Sequence, residues 1–304
     1  MAKDNNKLWG IDLGGTKIEG VVIDSVNISE VLCRTRIATE ASKGYKHILN
    51  RIKELIDLMS AEVKSSPSIL GIGTPGNLDP QTRLLKNSNS TSLNGQPFKQ
   101  DLEDVLGIEV KMANDANCFA LAETKLGVVQ DVNPDAEVVF GVIMGTGVGG
   151  GIVVNGKVIN GHQGIAGEWG HNFLDATGGK CYCGKTGCVE TVISGPALER
   201  YYEQISGTHV KLKDIVTRRD GDKHAVATQE RLAHFFGLGI SNIINILDPD
   251  VIVLGGGVGN IGILYTEGVK EAEKYTFNTG LKTPIVKPKL GDSAGVFGAA
   301  LLVG

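Results

Sequence analysis

A cluster of cysteines in the middle of the chain, with a histidine nearby, has the composition of a metal site. Three of the five cysteines, Cys181, Cys183 and Cys188, fall close together, and His171 precedes them. Three thiolates and one imidazole form a ligand set that closes a tetrahedral zinc site. A disulfide or a scatter of free thiols is the alternative, but the cysteine count is odd and C-x-C is poor geometry for a local disulfide. The spacing therefore predicts a structural zinc ion.

Two carboxylates flank this cluster. Glu168 lies just before His171, and Glu190 lies just after Cys188. A purely structural zinc site does not need either of them, because its four ligands already satisfy the metal. The segment is therefore predicted to be a zinc-stabilised loop that presents Glu168, His171 and Glu190 to a polar ligand.

Glycine is unusually common, with 42 residues among 304, and much of it is grouped at strand ends. The groups could bind anions, since successive backbone N–H groups in a tight turn form a concave site for phosphate. Asp12, beside the first group, could hold Mg²⁺ through water. Taken singly, each group could equally be an ordinary tight turn. The three predicted nucleotide-binding segments are Gly14-Gly15-Thr16-Lys17, Gly145-Thr146-Gly147 and Gly255-Gly256-Gly257.

Two familiar nucleotide motifs are excluded by context. The run that begins at Gly145 matches G-x-G-x-x-G, but that dinucleotide fingerprint requires a helix after it. Here a strand over 151–159 follows, with an Asn155-Gly156 pair typical of a type I′ hairpin turn. The segment at Gly14 lacks the G-x4-G-K-[ST] spacing of a P-loop. Two strand–turn–strand hairpins therefore remain as the predicted phosphate sites.

These hairpins also indicate an internal duplication. Residues 9–24 and 140–155 repeat the same order of strand, glycine turn and strand. Predicted strands and helices alternate along the rest of the chain, which is typical of an α/β protein. Asp115 begins a predicted helix and could be its N-cap. In the alignment at an offset of 131 positions, the identical pairs are Gly10/Gly141, Gly14/Gly145, Gly20/Gly151 and Val22/Val153.

Bulk properties exclude other classes. The net charge of −4 and pI near 5.9 argue against a nucleic-acid-binding surface. The chain has no long apolar run and no charged-then-apolar leader, so neither a membrane span nor export is expected. Cysteines concentrated in a metal motif fit a reducing compartment. A cytoplasmic protein is therefore expected.

The same motifs resemble those of the ROK family of bacterial sugar kinases and sugar-responsive repressors. They are D-L-G-G-T-K from Asp12, G-T-G-V-G-G-G from Gly145, E-W-G-H with the cysteine cluster, and D-P-D-V-I-V-L-G-G-G before 258. The resemblance spans nearly the whole chain. It implies a duplicated actin-like ATPase fold, also called ribonuclease H-like, with two domains flanking a nucleotide and sugar cleft. The implied domains are 1–115, joined by a C-terminal helix at 292–304, and 116–291, which carries the zinc-binding loop 171–188.

The resemblance also assigns roles. It implies that Asp115 is the general base that accepts the proton of the attacking sugar hydroxyl, although a plain helix N-cap is the alternative for that residue. It implies ATP with Mg²⁺ as the phosphoryl donor and a homo-oligomer, expected to be a dimer. Sugar contacts are implied for Gly76, Asn114, Asp115, Glu168, His171 and Glu190.

Within the family, the sequence over 86–98, 113–118 and 166–172 most resembles bacterial fructokinases of the mannokinase type. The expected reaction is therefore ATP-dependent phosphorylation of D-fructose to fructose 6-phosphate, with mannose as a second substrate. Glucokinase and N-acetylmannosamine or N-acetylglucosamine kinase are the alternatives. A non-catalytic sugar-sensing regulator is a remote alternative, because such relatives carry a DNA-binding segment before the first strand. Here about seven residues precede that strand.

Overall fold

The computed structural model describes residues 6–88 and 90–304. In chain order, the strands are β1 (Lys7–Leu13), β2 (Lys17–Asp24), β3 (Val31–Ala38), β4 (Ile69–Thr74), β5 (Asn77–Leu78), β6 (Leu85–Lys86), β7 (Glu109–Asn114), β8 (Val138–Met144), β9 (Val148–Val154), β10 (Lys157–Val158), β11 (Val251–Gly255) and β12 (Ile285–Val286).

The helices alternate with these strands as an α/β sequence predicts. In chain order they are α1 (Tyr45–Val63), α2 (Phe98–Leu106), α3 (Asp115–Lys125), α4 (Val128–Val132), α5 (Val189–Ile193), α6 (Gly195–Ser206), α7 (Leu212–Thr217), α8 (Lys223–Leu247), α9 (Gly256–Gly259), α10 (Glu267–Tyr275) and α11 (Ala294–Leu301). Among the described residues, no helix is both long and apolar enough to cross a membrane.

The chain divides into two compact units. The first contains the described residues up to Gly127 together with 156–166 and 290–304, and the second contains 128–155 and 167–289. The bounds differ from the domains expected at 115 and 291, because α3 lies in the first unit. Compactness alone does not test that division, which stays a prediction.

The first unit has a mixed five-stranded sheet in the order β3-β2-β1-β4-β7. Strands β1 to β3 form an antiparallel meander, and β4 and β7 extend it in parallel. Helix α1 buries Ile48, Ile52, Leu55 and Met59, whose spacing of three or four residues places them on one helical face. These side chains join the core formed by Trp9 and Ile11 of β1.

Helix α11 contacts β1, β4 and α3 within the first unit. Glycine permits that close contact, because a Cβ atom on Gly10 would lie 2.3 Å from the Ala300 nitrogen. A Cβ atom on Gly71 would lie 1.8 Å from the Ala299 oxygen, and one on Gly298 would lie 1.8 Å from the Cys118 oxygen. Any larger residue at Gly10 or Gly71 would push α11 away from the sheet, and one at Gly298 would push it away from α3.

The second unit repeats the arrangement. Its strands follow the order β9-β8-β11-β12, with β8 and β9 antiparallel and β11 and β12 added in parallel. The core contains Phe140, Leu232, Phe236 and Ile240, so that the long helix α8 packs against this sheet. The duplication predicted from the glycine turns is thus present in the sheet topology.

The strand register corrects the alignment of the two repeats. Gly20 lies opposite Ile11 in the first hairpin, and Gly150 lies opposite Val142 in the second. Since Ile11 and Val142 correspond in the repeat, the partner of Gly20 is Gly150 and not Gly151. The second turn is one residue shorter than the first, which a sequence alignment without gaps cannot detect.

Candidate functional site

In the first unit, the register of three strands places charged residues in one row. Asp12 lies opposite Glu19, and Glu19 lies opposite Arg36. The Glu19 side chain is buried and accepts from the Arg34 Nε at 2.5 Å, and it pairs with a terminal nitrogen of Arg36 at 2.8 Å. Arg34 also donates to the Ser293 hydroxyl at the start of α11. Two guanidinium groups thus compensate the burial of this carboxylate.

Asp12 stands next in the row. Its pKa is raised to about 6, first because burial disfavours the charged carboxylate, and then because Asp115 and Glu19 add negative charge nearby. Lys17 and Arg36 act in the opposite direction. Mg²⁺ prefers such hard oxygen donors, and a cation would relieve the repulsion among these carboxylates. Asp12 therefore fits the magnesium role predicted for it.

The start of α3 differs from the prediction in one respect. The N-cap is Asn114, whose side-chain oxygen accepts from the Asn117 N–H at 2.8 Å. Asp115 is instead the first helical residue; its carboxylate is exposed and accepts from the Ala116 N–H at 2.8 Å. The expectation that Asp115 caps the helix is therefore wrong. Its carboxylate lies where the helix dipole favours negative charge.

The first glycine turn connects β1 to β2. The Gly14 N–H donates to the Lys17 oxygen at 3.0 Å, and the Thr39 hydroxyl donates to the Gly14 oxygen at 2.7 Å. Within the part of the chain that the structure describes, the N–H groups of Gly15 and Thr16 have no protein acceptor. Two adjacent N–H groups in such a turn can form a concave site for a phosphate oxygen.

Gly76 follows β4 and has a structural requirement of its own. Its φ is 86°, and a Cβ atom would lie 2.5 Å from the Lys86 oxygen. Both facts favour glycine at this position whatever its neighbour binds. The sugar contact predicted for Gly76 stays a prediction.

A cavity of about 240 Å³ lies beside Asn114, inside the first unit. Its walls combine amide and hydroxyl groups with apolar side chains. The lining residues used below are Thr74, Asn77, Leu78, Met112, Ala113 and Asn114.

In the second unit, the four predicted zinc ligands come together. Their ligand atoms all lie within 4.8 Å of one another. The sulfurs of Cys183 and Cys188 are 3.6 Å apart, and the Cys181 sulfur is 3.6 Å from the His171 Nδ1. Zn–S bonds of about 2.3 Å and Zn–N bonds of about 2.0 Å in a tetrahedron place their ligand atoms roughly 3.5 to 3.8 Å apart. The residues therefore fit a zinc ion bound through Nδ1 of the histidine.

The other nitrogen of His171 has a partner that the sequence analysis missed. Its Nε2 lies 3.1 Å from the hydroxyl of Tyr182, and the two rings meet edge to face at 5.2 Å. Tyr182 is the central residue of the C-x-C pair, so the zinc spacing itself brings it beside the histidine. The predicted donation from this nitrogen to a sugar stays a prediction, and it requires Tyr182 to turn away.

Trp169, between Glu168 and His171, anchors this segment to the sheet. It is buried, its indole N–H donates to the Gly149 oxygen at 3.0 Å, and its ring packs edge to face on Phe140. A Cβ atom on Gly150 would lie 2.8 Å from the indole ring. Part of the glycine run in β9 is therefore required by the tryptophan. Sequence reasoning missed this contact because it attributed the whole run to phosphate binding.

Glu190 contacts the second glycine turn. The Val148 N–H donates to the Glu190 Oε2 at 3.0 Å. A few residues later, the Gly195 N–H donates to the Gly145 oxygen at 2.8 Å. The turn is therefore held at two points, by a side chain of α5 and by the first backbone N–H of α6.

Among the glycines of the second unit that are predicted to bind nucleotide, some are required by the fold and others have open space beside them. A Cβ atom would meet nothing within 4 Å on Gly145 or on Gly257, whereas one on Gly256 would lie 2.3 Å from the Met144 oxygen. Gly256 also has a φ of 80°, so the fold requires glycine at this position.

Among the described residues, the N–H groups of Thr146 and Gly147 in the second glycine turn have no protein acceptor. This second turn thus offers the same pair of adjacent N–H groups as the first.

Comparison with known proteins gives one family. The model of the ROK family matches residues 8–304. An N-acetyl-D-glucosamine kinase from Vibrio cholerae is 38% identical over 306 residues, covering 97% of this chain and 98% of that protein. A similarly named protein from Aliivibrio salmonicida is 37% identical over the same shares.

Solved structures agree in fold. The ROK hexokinase from Thermus thermophilus has a TM-score of 0.86 at 33% identity, covering 97% of both chains. A ROK family glucokinase from Streptomyces griseus, solved with glucose and AMPPNP, has a TM-score of 0.74 at 29% identity, covering 97% of this chain and 98% of that one. The duplicated sheets and their glycine turns are therefore those of the actin-like ATPase fold.

The chain belongs to the ROK family, and it is an ATP-dependent sugar kinase of that family. ATP as donor implies Mg²⁺ as its companion. The expectation of fructose as the preferred sugar is not supported, since the similar curated proteins are named for N-acetyl-D-glucosamine.

Proposed function

We propose that this protein transfers the γ-phosphoryl group of ATP to N-acetyl-D-glucosamine. The observation that carries the proposal is the similarity, at 37 to 38% identity over nearly the full length, to proteins named N-acetyl-D-glucosamine kinase. This substrate was one of the alternatives that the sequence left open.

The cavity beside Asn114 supports the proposal. Its volume of about 240 Å³ leaves room for an acetamido group. An acetamido group has an apolar methyl group, a carbonyl acceptor and an N–H donor. Leu78, Met112 and Ala113 match the methyl group, whereas Thr74 and Asn77 offer polar partners.

The catalytic step is assigned to the first unit. Asp115 accepts the proton of the attacking hydroxyl as the new oxygen–phosphorus bond forms and the bond to ADP breaks. Since Asn114 caps the helix, the carboxylate of Asp115 has no capping duty that would conflict with this role. The N–H groups of Gly15 and Thr16 bind phosphate oxygens, and Asp12 would hold Mg²⁺. Bound Mg²⁺ would neutralise phosphate charge.

The second unit is assigned sugar and nucleotide contacts of its own. Glu168, His171 and Glu190 accept from or donate to sugar hydroxyl groups, and the N–H groups of Thr146 and Gly147 bind phosphate. Zinc, held by His171, Cys181, Cys183 and Cys188, would fix the shape of the loop without an open coordination position. We also expect a homodimer, which light scattering of the purified protein would test.

The proposal is tested by measuring ADP release with a panel of sugars. We expect the highest kcat/KM with N-acetyl-D-glucosamine, and lower values with glucose, mannose, N-acetylmannosamine and fructose. A higher kcat/KM with fructose than with N-acetyl-D-glucosamine would refute the proposed substrate.

The role of the cavity is tested with a variant that fills it. Leu78→Trp should lower kcat/KM for N-acetyl-D-glucosamine at least about tenfold, because a lost or blocked substituent contact is worth roughly 1–3 kcal/mol. Glucose, which has no acetamido group, should be affected less than about threefold. Leu58→Trp is the matched control, since Leu58 is 48% exposed on α1 and does not line the cavity. Equal losses for both sugars would exclude the cavity as the acetamido subsite.

A further inference from the structure

We infer that Glu190 positions the second phosphate-binding turn and thereby couples sugar binding to ATP binding. The inference rests on the proposed roles of Glu190 as a sugar ligand and of the turn at Gly145–Gly147 as a phosphate site. It goes beyond them by assigning one carboxylate to both ligands. All of the groups involved belong to the second unit.

The first argument is that one oxygen of the Glu190 carboxylate already binds the turn. Oε2 of Glu190 accepts from the Val148 N–H at 3.0 Å. The Val148 N–H lies directly after the two N–H groups, those of Thr146 and Gly147, that have no protein acceptor among the described residues. A hydroxyl group bound at Oε1 would therefore act on a carboxylate whose other oxygen already holds the end of the turn.

The second argument is steric. A Cβ atom on Gly147 would lie 2.6 Å from the Glu190 Oε2, which is closer than non-bonded carbon and oxygen atoms approach. The carboxylate therefore packs directly on the turn as well as accepting a hydrogen bond from it. Any shift of the Glu190 side chain must be followed by the turn, because close-packed atoms transmit displacement.

The third argument is the way in which Glu190 is itself held. It lies in the first turn of α5, two residues after the predicted zinc ligand Cys188. Just beyond the other end of α5, the N–H of Gly195, the first residue of α6, donates to the Gly145 oxygen at 2.8 Å. The short helix α5 thus lies between the cysteine loop and the start of α6, which is fixed on the turn, and it acts as a rigid link.

Thermodynamic linkage makes the coupling reciprocal. If a sugar on Glu190 stabilises the turn that ATP needs, then ATP must strengthen sugar binding by the same factor. The coupling can therefore be tested with two kinds of variant. One changes the carboxylate, and its affinity for nucleotide is measured; the other changes the turn, and its affinity for sugar is measured.

The carboxylate is tested by titrating a non-hydrolysable ATP analogue with Mg²⁺ in the absence of sugar, using calorimetry. Glu190→Ala removes the acceptor of the Val148 N–H, so the analogue should bind about five- to tenfold more weakly, as expected for one lost hydrogen bond. Glu190→Gln retains an acceptor oxygen and should bind the analogue within about twofold of the parent. Glu168→Ala, which removes the other predicted sugar carboxylate, should also leave analogue binding within twofold.

The turn is tested by titrating N-acetyl-D-glucosamine without nucleotide. Gly147→Ala introduces the Cβ atom that displaces Glu190, so sugar should bind at least about threefold more weakly even though the change lies in a phosphate turn. Gly262→Ala, in the same unit but outside the turn, is the matched control, because its Cβ atom meets nothing within 4 Å, and sugar affinity should be unchanged.

Hydrogen exchange separates positioning from loss of fold. Peptides that cover the turn should exchange faster in Glu190→Ala than in the parent, and at the parental rate in Glu190→Gln, while α8 stays protected in both. Unchanged analogue affinity in Glu190→Ala, or unchanged sugar affinity in Gly147→Ala, would overturn the coupling. A parent protein that binds the analogue but neither binds nor phosphorylates any sugar would overturn the proposed function, and the coupling with it.

Discussion

Asp12 should reduce the stability of the free protein at neutral pH, and replacing it should show by how much. Its pKa is raised from 3.8 to about 6 by burial and by the neighbouring charges of Asp115 and Glu19. A carboxylate whose folded pKa lies above its unfolded pKa favours the folded state at low pH. This contribution is lost progressively as the pH rises from about 4 to about 6. Asp12→Asn removes the titration and keeps the shape.

The magnitude follows from the two pKa values. The difference between 3.8 and about 6 corresponds to a cost of about 3 kcal/mol for the ionised group at pH 8. At pH 5 the group is largely protonated in the folded state, and the cost is about 1.6 kcal/mol. The stability advantage of Asp12→Asn should therefore widen by about 1.4 kcal/mol between pH 5 and pH 8. Titrating groups remote from Asp12 affect both proteins alike and cancel.

The assay can report on the first unit alone. The chain has two tryptophans, and Trp9 lies in β1 whereas Trp169 lies in the second unit. With Trp169→Phe in both proteins, urea unfolding followed by Trp9 fluorescence reports the first unit, without Mg²⁺ or nucleotide, whose binding would mask the effect. A stability difference that stays constant from pH 5 to pH 8 would refute the argument from burial and charge.

Three further outcomes are expected. Asp115→Asn should lower kcat about 10²-fold or more while leaving the melting temperature and ATP affinity near parental values, since Asn114 provides the cap; turnover near the parental rate would place the base elsewhere. Cys183→Ser should abolish stoichiometric zinc and lower the melting temperature, whereas Cys33→Ser should keep zinc by elemental analysis. Gly150→Ala should destabilise the second unit by about 1–3 kcal/mol in urea unfolding, because its Cβ atom would overlap the buried indole ring.

The sequence predicted the elements well because their signals are local. The apolar residues over 44–64 repeat with the helical period and therefore predict a helix, and α1 spans Tyr45–Val63. The Asn155-Gly156 turn has positive φ at both residues, as that pair favours. The four predicted zinc ligands could be selected for the same reason, because three of them lie within a short stretch of chain.

What the sequence could not supply was contact between distant segments. The acceptor of the Val148 N–H lies 42 residues away, on Glu190, and no local pattern indicates that pairing. The buried row that joins Asp12, Glu19 and Arg36 depends on strand register, which one sequence leaves open. The sequence also does not show why a glycine is present at a given position. Gly256 is required by the fold, whereas Gly257 has open space beside it, and nothing in the sequence distinguishes the two.

The contact of α11 with the sheet of the first unit has a consequence for biosynthesis. The backbone of Ala299 and Ala300 fills the space over Gly71 and Gly10, yet these segments are separated by more than two hundred residues of chain. A ribosome releases the N-terminal strands well before this helix. One face of the sheet formed by the early strands therefore stays uncovered while the whole second unit is synthesised. The second unit can fold during that time. The first unit to be translated is the last that can be completed.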